Sequence, residues 1–114
     1  MAKEGNWIEE CPFPVKGCDK DGTLIFINAR AAKNAERAGG KGLIGKSIFP
    51  CHKPASVEKF KMLVAQGKIN AYTIEKGGVK SLVYQTPWIE DGEVKGMVEL
   101  TMPLPDNMPH YKRD

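Results

Sequence analysis

The pattern of apolar and polar positions predicts strands at both ends of the chain and helices between them. Lys16 to Ile27 is predicted to form a β-hairpin, because Asp21-Gly22 separates two strand-like runs and glycine accepts the positive φ that a primed turn needs. The run from Thr23 to Ile27 is mostly β-branched or aromatic, which suits a buried strand.

Two helices are predicted after this hairpin. Asn28 is placed to cap a helix from Ala29 to about Ala38, which Gly39, Gly40 and Gly42 end by opening a flexible connection. A longer helix covers residues 54–66, with Ser56 as the expected cap and Gly67 as its stop. Its apolar positions follow helical spacing and comprise Val57, Phe60, Leu63 and Val64.

Three strands are predicted in the second half, over residues 70–76, 79–88 and 93–102. Gly77-Gly78 and Glu90-Asp91-Gly92 provide the turns between them. In the last strand, alternation predicts that one face carries Val94, Gly96, Val98, Leu100 and Met102, and the other Lys95, Glu99 and Thr101. We expect the apolar face to contact the long helix.

This order of elements predicts an α+β fold, with a five-stranded antiparallel sheet and helices on one face. Residues 13–102 form the predicted domain. Residues 1–12 precede it as an entry segment containing the apolar pair Trp7-Ile8, and residues 103–114 follow as an extended, proline-rich tail.

The chain resembles the PAS family of sensor domains. The resemblance is carried by the turn Asp19-Lys20-Asp21-Gly22 with Asn28, by the segment Gly42-Leu43-Ile44-Gly45-Lys46-Ser47, and by the three-strand meander at the end. It implies a PAS-like fold and a role in sensing and signal transduction. It also implies a small ligand or a signalling protein partner, and a homodimer formed through the sheet or the N-terminal segment. A narrower segment, Pro50-Cys51-His52-Lys53-Pro54-Ala55-Ser56, is similar to PAS regions of proteins that elsewhere carry hemerythrin-like domains.

Composition narrows the classes of function. The 114 residues suit one domain, and 27% charged with 41% hydrophobic residues is ordinary for a globular protein. A net charge of +3 from scattered basic residues gives little reason to expect nucleic-acid binding. The apolar runs are too short for a membrane helix, and the start lacks a secretion signal, so we expect a cytoplasmic protein. Cys11, Cys18 and Cys51 are expected to be free thiols, with a redox pair of Cys11 and Cys18 as the alternative.

The candidate site is a pocket between the long helix and the apolar face of the sheet, and the alternative is a solid core made of the same residues. The predicted lining is Phe26, Phe60, Leu63, Tyr72, Ile74, Tyr84, Trp88, Gly96, Val98 and Leu100. The PAS resemblance also makes haem a possible cofactor, with His52 as axial ligand and Cys51 as an alternative thiolate. The other interpretation of His52 is structural, with its ring bonded to a loop carbonyl. Without a nucleophile–base pair, paired carboxylates or a metal set, the chain is not expected to be an enzyme.

Overall fold

A computed structural model describes residues 6–114 as one antiparallel sheet with its helices on one side. The strands are β1 (Val15–Asp19), β2 (Leu24–Ile27), β3 (Asn70–Lys76), β4 (Val79–Glu90) and β5 (Glu93–Pro103). The α-helices are α1 (Asn6–Glu10), α2 (Ala29–Asn34) and α3 (Pro54–Gln66), and short 3-10 turns cover Glu36–Ala38, Gly40–Leu43 and Phe49–Cys51. This arrangement confirms the predicted fold class.

The strand order is β2-β1-β5-β4-β3, so the last strand lies in the centre of the sheet. β5 pairs with β1 on one side, from Val15 opposite Leu100 to Asp19 opposite Gly96. On its other side β5 pairs with almost the whole length of β4. The β1–β2 hairpin and the β3–β5 meander, far apart in sequence, therefore meet along β5.

The three hairpins use two kinds of turn. Turns were predicted at both other places, and there Asp91 and Gly92 both have positive φ, as do Gly77 and Gly78, which is the geometry of primed turns. In the first hairpin only Gly22 has positive φ, and its N–H donates to the carbonyl of Asp19 at 3.0 Å. The predicted primed turn is therefore wrong there. The Asp19 carboxylate accepts N–H bonds from Asp21 and Thr23, which stabilises this longer loop.

Asn28 caps α2 as predicted, and its side chain also forms hydrogen bonds with residues outside α2. Its Oδ1 accepts the N–H of Ala31 and the N–H of Val15, both at 3.0 Å. Its Nδ2 donates to the carbonyls of Ile8 and Phe13, both at 2.9 Å. The residue is fully buried. One amide therefore joins α1, the start of β1 and the first turn of α2.

One predicted helix end and one predicted cap are wrong. α2 ends at Asn34 instead of continuing to Ala38, and a separate 3-10 turn covers Glu36–Ala38. Gly39 ends that turn with a φ of 128°, which no helix allows. α3 begins at Pro54, so its N-cap is Lys53 rather than Ser56. Proline is favoured in the first turn, where its missing N–H costs nothing, and this outweighs the capping preference of Ser56. Gly67 ends α3 in the left-handed conformation, as predicted.

The core lies between the helices and one face of the sheet. Phe60 and Leu63 of α3 pack with Cys18 of β1 and Met97 of β5. A second cluster under α2 joins Leu24, Ile27, Ala31 and Ala32. Among residues 6–114, no helix has the length and apolarity that crossing a bilayer requires.

Candidate ligand cleft

A cleft of about 250 Å³ separates the N-terminal half of α3 from the sheet. Its apolar wall includes Val57 and Phe60 of α3 and Phe49 from the preceding turn. The Phe49 and Phe60 rings meet edge to face with centroids 5.6 Å apart. The floor is formed by side chains from β1, β3, β4 and β5. The space is therefore bounded by aromatic groups on one side and by the sheet on the other.

A row of polar side chains crosses this floor. Asn70, Gln85, Glu99 and Lys16 occupy paired positions on four adjacent strands. Asn70 Nδ2 donates to Gln85 Oε1 at 2.9 Å, and Gln85 Nε2 donates to Glu99 Oε2 at 2.7 Å. The row ends with Lys16 Nζ, which lies 3.6 Å from Glu99 Oε1. Since each amide is held by its neighbour, the row presents a fixed pattern of donors and acceptors to the cleft.

The polar row reverses the predicted orientation of β5. Met97 and Glu99 face α3, so Val98 and Leu100 project from the opposite side of the sheet, which we call the outer face. The outer face carries Phe26, Leu82, Tyr84, Trp88, Val98, Leu100 and Met102, all of them half-buried. The prediction assumed that the more apolar face of β5 contacts the helix. It failed because this sheet has a second apolar surface.

The predicted lining residues lie in four different places in the structure. Phe60 and Tyr72 line the cleft. Leu63 is buried in the core beneath α3, and Ile74 lies on the cleft side of β3 but 41% exposed and outside the cleft. Six predicted residues occupy positions on the outer side of the sheet, namely Phe26, Tyr84, Trp88, Gly96, Val98 and Leu100. The whole polar row was absent from the predicted lining, namely Lys16, Asn70, Gln85 and Glu99.

Gly96 does not border a cavity, contrary to the sequence-based expectation. A Cβ at this position would lie 2.0 Å from the carbonyl oxygen of Cys18 and 2.8 Å from the Cα of Asp19. The glycine is needed because the β1 backbone approaches β5 closely here. This position therefore serves sheet pairing and has no role in lining the cleft.

His52 lies at the mouth of the cleft, just before α3. Its Nδ1 is 2.6 Å from the carbonyl oxygen of Ile48, and a carbonyl only accepts, so Nδ1 carries the proton and Nε2 keeps a lone pair. The bond to a loop carbonyl matches the structural interpretation of this histidine. Cys51 is exposed, and within residues 6–114 no cluster of three or more His, Cys, Asp or Glu side chains could hold a metal ion.

Two titratable side chains on the cleft floor are perturbed. Burial raises the pKa of the Cys18 thiol to about 11, with a further contribution from the Asp19 carboxylate. Burial, followed by the nearby Glu99 carboxylate, raises the pKa of Tyr72. Both groups are therefore protonated at neutral pH, and Tyr72 can donate a hydrogen bond to a ligand.

No protein-family model matches the chain, and no curated protein matches it in sequence. Solved structures do match its fold. A sensory box sensor histidine kinase from Vibrio cholerae superposes with a TM-score of 0.62 at 14% identity, covering 90% of each chain. The Aer2 receptor of Vibrio cholerae, a dual PAS–haem oxygen sensor, gives a TM-score of 0.58 at 15% identity, covering 82% of this chain and 95% of Aer2.

The Vibrio cholerae VqmA dimer, a LuxR-type receptor with a DNA target, gives a TM-score of 0.64 at 15% identity. The match covers 93% of this chain and 52% of VqmA, so the chain spans about half the length of that receptor. VqmA bound to the molecule DPO gives a TM-score of 0.65 at 14% identity, covering 91% of this chain and 58% of VqmA. At these identities the likeness establishes a PAS-like fold.

Proposed function

We propose that this chain is a sensory domain that binds a small molecule in the cleft and passes the signal to a protein partner. The observation that carries the proposal is the polar row from Asn70 to Lys16, which faces an aromatic wall across open space. A few fixed polar groups in a largely apolar concavity are typical of ligand sites. The neighbouring structures of a sensor histidine kinase and of VqmA bound to DPO support the same class of function.

Native mass spectrometry of the purified chain tests ligand binding, because a retained molecule appears as added mass. Ser56 is exposed and lines the cleft, so Ser56→Tyr should fill the space without disturbing the core. Ala65 is exposed on the same helix and does not line the cleft, which makes Ala65→Tyr the matched control. We expect the added mass to be lost in the first variant and kept in the second.

A purified chain without added mass should still respond to extracted metabolites by a rise in melting temperature, since bound ligand stabilises the folded state. If neither wild type nor Ala65→Tyr shows added mass or a thermal response, the ligand-binding proposal fails.

Haem, the cofactor considered for His52, fits this cleft poorly. The protonated Nδ1 and the free lone pair of Nε2 are what an axial histidine requires. The cleft volume of about 250 Å³, however, is small for a rigid macrocycle of the size of haem. Polar and charged groups also occupy the floor on which an apolar macrocycle would lie. We therefore expect no Soret band when haem is titrated into the protein. A Soret band that the wild-type protein shows and His52→Ala lacks would instead identify His52 as a haem ligand.

We propose a non-enzymatic role in the cytoplasm, consistent with the unpaired Cys11, Cys18 and Cys51. We propose that the outer face carries the contacts with a second copy of the chain or with a signalling partner. The similarity of Pro50–Ser56 to PAS regions associated with hemerythrin-like domains stays a prediction.

A further inference from the structure

A second cavity with different chemistry, which we call the second lobe, adjoins the cleft. A cavity of about 160 Å³ lies between α2, the Gly40–Leu43 turn and the segment leading to Phe49. Its wall is mostly apolar and includes Leu24, Ile27, Ala31, Ala35 and Leu43. The two spaces share four lining residues, namely Lys16, Leu24, Ile48 and His52. An elongated molecule could therefore occupy both, with its polar end against the row and its apolar end under α2.

The charges around the two lobes are unequal. Lys16 lines both lobes, Lys59 lines the first and Lys46 lines the second. Glu99 is the acidic residue of the lining, and it already accepts a hydrogen bond from Gln85 and lies beside Lys16. Within residues 6–114, Lys46 and Lys59 form no ion pair. The potential at the junction is therefore positive, which favours a negative group there.

We propose that the cleft binds an amphipathic anion, with its negative head near Lys16 and Lys59 and its aliphatic tail in the lobe under α2. This inference rests on the proposed function and specifies the ligand class. Binding is favoured because the aliphatic tail is transferred from water to a wall of alanine and leucine side chains. The head is attracted by Lys59, which forms no ion pair within residues 6–114, and by Lys16, whose Glu99 partner also accepts a hydrogen bond from Gln85. Tyr72 adds a neutral donor on the same floor.

Isothermal titration with three probes below their aggregation concentrations tests the proposal. Octanoate carries both parts, butyrate lacks the tail and octylamine reverses the charge of the head. We expect octanoate to bind at least about tenfold more tightly than either of the others. Equal affinity for octanoate and octylamine would overturn the charge assignment, and equal affinity for octanoate and butyrate would overturn the tail site.

Three variants locate the molecule. Lys16→Gln removes the charge at the junction and should weaken octanoate binding about tenfold. Ala35→Leu fills the apolar lobe and should weaken octanoate binding while leaving butyrate unchanged. Lys80→Gln alters an exposed lysine of β4 outside both lobes and should have no effect. Octanoate binding that is unchanged in both Lys16→Gln and Ala35→Leu contradicts the inference.

The outcome separates this inference from the proposed function. If octanoate does not bind but the chain retains another molecule that Ser56→Tyr excludes, the ligand class is wrong and the sensory cleft stands. If no molecule binds in either experiment, both are wrong.

Discussion

At the scale of single residues, the side-chain amide of Asn28 makes hydrogen bonds that an aspartate carboxylate at this position could not make. Aspartate would keep the oxygen that caps α2 but would place a second oxygen against the carbonyls of Ile8 and Phe13. We expect Asn28→Asp to lower the free energy of unfolding by about 2–4 kcal/mol, because two buried acceptors lose their donor. Urea unfolding measures this, with the exposed Asn107→Asp as control. Limited proteolysis should cut residues 6–12 faster in the variant, and unchanged cleavage would contradict the role assigned to Asn28.

The close approach of the β1 backbone to Gly96 can be tested by adding a single methyl group at this position. The Cβ of Gly96→Ala would overlap the β1 backbone, which cannot move without breaking strand pairing, so we expect a loss of about 1–3 kcal/mol. Gly17, in the same strand pair, has only ordinary contacts of 3.5 Å and 3.6 Å around a Cβ. Gly17→Ala is therefore the matched control and should change the melting temperature little. Equal effects of the two substitutions would show that the close approach at Gly96 does not matter.

The Cys18 thiol makes stability depend on pH. Its folded-state pKa of about 11 exceeds the usual 9.0, so above pH 9 the unfolded chain loses this proton while the folded chain keeps it. Stability contributed by Cys18 is thus complete below pH 9 and declines up to pH 11, by about 1–2 kcal/mol. Urea unfolding at pH 8 and pH 10.5 in reducing buffer should show a smaller decline for Cys18→Ala than for wild type. Identical declines would contradict the assignment.

At the scale of elements, the start of α3 is under-stabilised. Lys53 is the N-cap and makes no side-chain hydrogen bond to the first turn. We expect Lys53→Ser to raise the free energy of unfolding by about 0.5–1 kcal/mol, because serine accepts an N–H bond at this position and lysine cannot. Lys53→Ala is the control and should give no gain. Thermal melts of wild type, Lys53→Ser and Lys53→Ala measure the difference in stability.

Local signals account for the elements that the sequence predicted correctly. The turn residues Gly77-Gly78 and Asp91-Gly92, the cap at Asn28 and the stop at Gly67 act within a few residues, so strands and helices could be assigned from them. The cleft depends instead on register between distant strands. Asn70, Gln85, Glu99 and Lys16 each resemble a solvated surface residue, and only the pairing of four strands joins them.

At the scale of the whole molecule, the outer face gives the sheet two apolar sides, of which the helices cover one. Tyr84 and Leu100 are directly paired at its centre. We expect the chain to dimerise through this face, and Leu100→Lys to shift it to monomer by desolvating a charge in the contact. Light scattering across a concentration series measures the change. Ile25→Lys, exposed on edge strand β2, is the control, and deletion of residues 1–11 tests the N-terminal segment as the alternative interface.

The central position of β5 also governs the order in which the chain can fold during synthesis. β1 is translated before its partner β5, which follows more than seventy residues later. Until Glu93–Pro103 emerges, the edges of β1 and β4 stay unpaired and open to other chains. The domain therefore reaches its stable state only after β5 has emerged, and a chain arrested before β5 should be degraded or aggregate.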